Sequence, residues 1–257
     1  MSSDVVSEQP GGQTQSKPAP EGWMALPSRV PICPSGLEYL TMVDTIMVKQ
    51  LKEMMEILTG IETKNKYVLT NSAGERVYFA MEQSDFFGRQ FFGKWRPFHM
   101  PIVDNMQRQV LIIHRDEPVA CSNSTPVTVI SPTHGILGTI TNNSCCCPCG
   151  SQFSVWDANQ QLVMIIDYMS LCENCGCGEK VFPVKCNGKV IGAVSKIWGG
   201  CLKETFTDAD TFRVTFPMDL DARMKALLLG AAFMIDFMAF EDDNERRNRG
   251  HFSLCMG

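Results

Sequence analysis

Basic charge is scarce in this sequence: 23 Lys and Arg stand against 28 Asp and Glu, for a net charge of −5. Nucleic-acid binders carry a basic face and polybasic membrane anchors carry clustered cations, so this balance argues against both. If the protein meets anionic lipid, a bridging cation or inserted apolar groups must do the work. The opening stretch MSSDVVSEQPGGQTQSKPAPEG has no apolar core, so no secretory signal is read there and a cytosolic start is expected. Catalytic signatures are missing too. There is no G-x-S-x-G, P-loop or H-E-x-x-H, and His99, His114, His134 and His251 are scattered with no motif around them. Each histidine is read as structural or solvated.

One long apolar run is present, from Met224 to Phe240, interrupted only by the charges of Lys225 and Asp236. It is apolar on every face, so it must be buried by protein all round or placed in lipid. At a rise of about 1.5 Å per residue it spans roughly 25 Å, short for a bilayer core of about 30 Å. Gly230, Ala231 and Ala232 permit close approach of a neighbouring helix or a barrel wall. Burial by protein is placed ahead of lipid, with Met224, Leu228, Gly230, Phe233, Ile235, Phe237 and Phe240 as the positions that fill a membrane or a barrel core.

The rest of the chain has period two. Tyr67–Leu69 and Arg76–Ala80 flank the turn Asn71–Gly74, which predicts a hairpin. Phe98–Val103 and Val110–His114 flank Asp104–Asn105 in the same way. Further strands are predicted at 126–130, 137–141, 153–156, 162–167, 181–185, 190–195 and 211–216, where Pro217 stops the last. Residues 37–58 fit helical spacing, although Asp44–Val48 is also strand-like. About a dozen short strands with frequent turns predict a mainly β fold, a closed barrel or a sandwich, and an apolar helix is what could fill a barrel of that size. Residues 1–35, rich in Pro, Gly, Ser and Gln, are expected to be disordered. The folded domain is read as 36–243 and a polar tail as 244–257.

The run DADTFRVTFPMDLD followed by MKALLLGAAFMIDFMAFE resembles the C-terminal signature of the phospholipid scramblases. The resemblance continues through SKIWGGCLKE (Ser195–Glu204), EILTGIETKNKYVLTNSAGERVYFAMEQ (Glu56–Gln83) and RPFHMPIVDNMQRQVLIIHR (Arg96–Arg115), and covers Gly36 to Glu241. It implies a tubby-like closed barrel of twelve strands around a hydrophobic C-terminal helix. It implies calcium-activated, ATP-independent movement of phospholipids between leaflets, at the cytoplasmic face of a membrane, the plasma membrane first. No covalent chemistry, and so no catalytic residue, is expected. Phospholipids are the implied partners, with homo-oligomers possible and no nucleic acid. Relatives often carry a longer proline-rich segment for SH3 and WW modules, but here that segment is short and there is no PPxY.

The same resemblance implies a calcium loop with ligands at Asp208, Asp210, Phe212, Val214, Phe216 and Asp219. Carboxylates are the hard oxygen donors calcium takes. Yet Arg213 stands where such a loop wants Gly, and Asp219 where it wants Glu. The alternative is carboxylates at a strand end, with Asp219 and Asp221 capping the next helix. Twelve cysteines in a cytosolic chain also need a use other than disulfides. Cys145, Cys146, Cys147 and Cys149 look like a palmitoylation cluster, a feature the family implies in kind although its cysteine run lies elsewhere. Zinc competes for the same thiols, through Cys146-x2-Cys149 and Cys172-x2-Cys175, and inert packing is the third reading. Phe86–Phe87 and Phe91–Phe92 are read as a loop packed into the barrel end, ahead of one dipping into a membrane.

Overall fold

The structure, a computed structural model, describes residues 19–26, 33–51, 65–83, 96–117, 125–143, 152–167, 179–197 and 211–239. Twelve antiparallel strands form a closed barrel in which each strand pairs with its sequence neighbours and the first pairs with the last. They are β1 (Thr45–Leu51), β2 (Lys66–Thr70), β3 (Arg76–Met81), β4 (Phe98–Val103), β5 (Gln109–Arg115) and β6 (Val127–Ser131). The second half holds β7 (Gly135–Asn142), β8 (Gln152–Asp157), β9 (Leu162–Asp167), β10 (Lys180–Cys186), β11 (Lys189–Ile197) and β12 (Thr211–Thr215). The barrel reading of the period-two pattern is the correct one. The ambiguous stretch resolves into a 3-10 turn, Glu38–Met42, followed by β1, with Ile46 and Val48 facing inward.

The strands alternate because their side chains do. In β4, Phe98, Met100 and Ile102 are buried while His99, Pro101 and Val103 face out. Three hairpins share one turn device. Asn71, Asp104 and Asp157 each offer a side-chain oxygen to the N–H groups two and four residues on, and the residue between them in each turn (Gly74, Gln107 and Gln160) takes positive φ. That is why an Asx residue opens each turn. The connections β2–β3, β4–β5, β6–β7, β8–β9 and β10–β11 are short and lie at one end of the barrel. Those from odd to even strands leave from the opposite end and fall largely outside the described residues.

The helix α1 (Ala222–Ala239) follows β12 at the short-turn end and runs through the lumen. A helix about 10–12 Å across fills a barrel of this strand number. From Lys225 to Phe237 every residue is buried, so the lack of a polar face is explained by a wall on all sides. Phe233 meets Tyr67 edge-on at 5.0 Å, and Phe237 meets Phe98 at 4.5 Å. Gly230 lies against β6: a Cβ there would stand 2.5 Å from Val129 Cγ2.

Candidate functional site

Polar ties fasten both ends of α1. Near its start, the buried Lys225 ammonium donates to the carbonyls of Leu40, Val43 and Met218 at 2.9, 2.8 and 2.7 Å and sits 4.9 Å from the Phe216 ring. Burial pulls its pKa below the ordinary lysine range, opposed by the charges of Asp219 and Asp44. Near its end, Asp236 accepts from the Tyr67 hydroxyl at 3.0 Å. Beside it Arg96 pairs with the fully buried Glu82 at 3.1 Å and covers the Phe237 ring at 4.5 Å, while Arg115 donates to the Arg96 carbonyl. Cations at this end also suit the negative pole of the helix dipole. Sequence reasoning missed this interior polar set, because buried charges give no pattern until their partners are known.

Of the positions expected to line the helix core, Leu228, Gly230, Phe233, Ile235 and Phe237 are buried and Met224 is half-buried; Phe240 lies outside the described residues. The core-filling alternative therefore describes the fold and the lipid-spanning one does not. Among the described residues no helix is long and apolar enough to cross a membrane.

The acidic segment divides. Asp208 and Asp210 lie outside the described residues. Phe212 and Val214 turn into the core, and β12 pairs along both edges, with β1 on one side and β11 on the other. The Phe216 ring is buried and its N–H donates to the Asp44 carbonyl. Backbone committed to two ladders is not a loop wrapped round an ion, so the described part of the set does not fit an EF-hand-like site. Asp219 is exposed in the turn before α1. Asp221 caps the helix, accepting from the Arg223 N–H at 2.7 Å, and its carboxyl is held below the usual range chiefly by the Arg223 guanidinium. Among the described residues no three His, Cys, Asp or Glu side chains gather around a point a metal could occupy.

Cys145, Cys146, Cys147 and Cys149 lie outside the described residues, as do Cys172, Cys175, Phe86, Phe87, Phe91 and Phe92. The 145–149 run lies in sequence between β7 and β8, and Asn142 at the end of β7 donates to the Met238 sulfur near the end of α1 at 3.7 Å. At the other end, Cys33 lines a cleft of about 260 Å³ with Asp219 and Asp221. Burial, aided by Glu38 and Asp221, pushes its thiol up to about 11, so it is a poor nucleophile. The histidines are not all scattered in space: His99 and His114 face each other across β4 and β5, ring centres 5.6 Å apart.

Comparison with known proteins adds the relationships. The family model described as Scramblase matches residues 24–242. The chain is 39% identical over 255 residues to "Phospholipid scramblase 1" of Rattus norvegicus, covering 95% of this chain and 74% of the relative. It is 39% identical over 244 residues to "Phospholipid scramblase 2" of Bos taurus, covering 92% and 80%. It is 36% identical over 247 residues to "Phospholipid scramblase family member 5" of Homo sapiens, covering 92% and 88%. No solved structure matches. With a family match that runs from before the first strand to past the end of the central helix, the chain belongs to the scramblase family.

Proposed function

We propose that this protein moves phospholipids between the leaflets of a bilayer, without ATP and under calcium control, from the cytoplasmic face of a membrane, the plasma membrane first. Lipid as the substrate follows from what its relatives are named for. The mode of action rests on one observation, the caged helix. With α1 walled in and tied at both ends, it offers no span and no polar groove to a headgroup. The barrel acts instead from the bilayer surface, lowering the cost of drawing a headgroup through hydrocarbon by disturbing lipid packing. No covalent bond is made or broken in such a step. Acyl chains on Cys145, Cys146, Cys147 and Cys149 would anchor the barrel, because one chain holds only marginally and two or more hold firmly. Calcium control is assigned to Asp208, Asp210 and Asp219, with the core-facing Phe212, Val214 and Phe216 left out of the ligand set.

The test is reconstitution of the full chain in vesicles carrying a fluorescent lipid in one leaflet. Exchange that needs calcium and no ATP is expected. Unchanged calcium dependence in the double variant Asp208→Ala/Asp219→Ala would remove those carboxylates from the mechanism. The caged helix also favours a second reading, a palmitoylated lipid-binding adaptor that does not scramble. Flotation with vesicles, combined with lipid exchange no faster than in protein-free vesicles, would select it. Stoichiometric zinc in the purified protein would rule out lipidation of Cys146 and Cys149, whose thiolates would then be metal ligands.

A further inference from the structure

The outward side of the barrel is not uniform. Strands β1 to β7 contain no Asp or Glu, in a chain that has 28 of them. On their outer face the pairing register lines up Met81, Pro101, Ile112, Ile130 and Ile136, one from each of β3 to β7. A second row beside it runs through Val68, Phe79 and Val103 of β2 to β4. All of these alternate with core residues, and Met81 and Ile136 are 37% and 54% exposed. Lys66 and Lys49 close the two rows at the β1–β2 edge. The opposite wall is different in kind, being crossed by the outward ion pairs Lys185–Asp167 and Arg213–Glu179.

We propose that the outer wall of β3–β6 is the face by which the barrel lies on an anionic phospholipid bilayer. The inference rests on the lipid reading given above and names the surface that serves it. Strands about 4.8 Å apart make the β3–β7 row roughly 20 Å wide, and residues two apart add about 7 Å of height. Interfacial elements sink about 5–10 Å into the headgroup and acyl boundary, enough to submerge the central strands of a curved wall. Charge selects this occupant. The strands of this wall bring apolar tips bordered by lysines and no carboxylate of their own, on a protein that is acidic overall, and Asp116 just past β5 is held by His114 at 2.9 Å. It supplies the inserted apolar groups that a protein short of basic charge needs at such a surface.

Hydroxyl-radical footprinting of the full chain, alone and with phosphatidylcholine vesicles containing roughly a third phosphatidylserine, tests this directly. Oxidation of Met81 should fall several-fold on vesicle addition while that of Met42 and Met218, 56% and 51% exposed at the short-turn end, stays unchanged. The double variant Ile112→Glu/Ile136→Glu changes outward side chains on strands that do not pair with each other, and should weaken vesicle binding about tenfold or more, with its melting temperature kept. Vesicle binding with Met81 still oxidised overturns this face and leaves the lipid reading standing. No flotation at all overturns both. Protection of Met81 that rises with protein concentration in the absence of lipid assigns the wall to a second copy of the chain and overturns the bilayer as its occupant.

Discussion

Replacing Lys225 by Met keeps the length of the buried stem and removes the ammonium. Three carbonyls, those of Leu40, Val43 and Met218, then lose a donor at 2.7 to 2.9 Å. Hydrogen bonds to a charged group contribute about 1.5–3 kcal/mol each, so the gross loss is roughly 4–9 kcal/mol. Against it stands relief from desolvating a buried cation, which is several kcal/mol. The direction of the lysine's pKa shows this opposing effect at work. A net destabilisation of about 2–4 kcal/mol follows, because the orphaned carbonyls stay shut away from water. For a domain of this size that lowers Tm by about 5–15 °C. Thermal unfolding followed by circular dichroism reads it. Lys225→Arg should also be less stable than the wild type, since a planar fork does not match a compact three-carbonyl cradle. An unchanged or raised Tm for Lys225→Met would refute the tie, leaving α1 held by apolar packing alone.

Two further outcomes follow from the same interior. Gly230→Val drives a branched side chain into Val129 of β6 and should cost about 1–3 kcal/mol by overpacking, visible as a lowered denaturation midpoint at unchanged slope. Arg96→Ala strands the fully buried Glu82 carboxylate and uncovers the Phe237 ring; about 3–5 kcal/mol of destabilisation is expected, and Glu82→Gln in the same chain should restore part of it.

Much of the barrel was legible because its strands announce themselves twice, by alternation and by the Asx residue that opens the next turn. Asn71, Asp104 and Asp157 each mark such a turn, and the positions of β4, β5 and β9 follow from reading either side of them. The helix was legible as an element and as something water must not reach. What surrounds it was not, since lipid and a barrel wall ask for the same apolar residues. The β1 region misled for a related reason: Met47 and Leu51 face outward yet are apolar, which blurs a period of two into something closer to helical spacing. Hardest of all were the charges. Glu82, Arg96 and Arg115 sit in stretches that look amphipathic and Lys225 in a run apolar on every face, and each is buried against a partner that is remote along the chain or offers only its backbone. The acidic segment was legible only in part. Asp208, Asp210 and Asp219 suggest a shared ion, yet Thr211–Thr215 between them form a strand, while the cap expected of Asp221 is present at the start of α1.

The order in which the barrel can be assembled is constrained by its last two elements. Because β1 hydrogen-bonds to β12 and the lumen is occupied by α1, a ribosome has released eleven strands before either the seam or the filling exists. Until then the nascent sheet has an unzipped edge at each side and a hollow, greasy concave face, the conditions under which chains aggregate or recruit chaperones. A stop codon only a few dozen residues early therefore does not trim this fold; it withholds the piece around which everything else has to close.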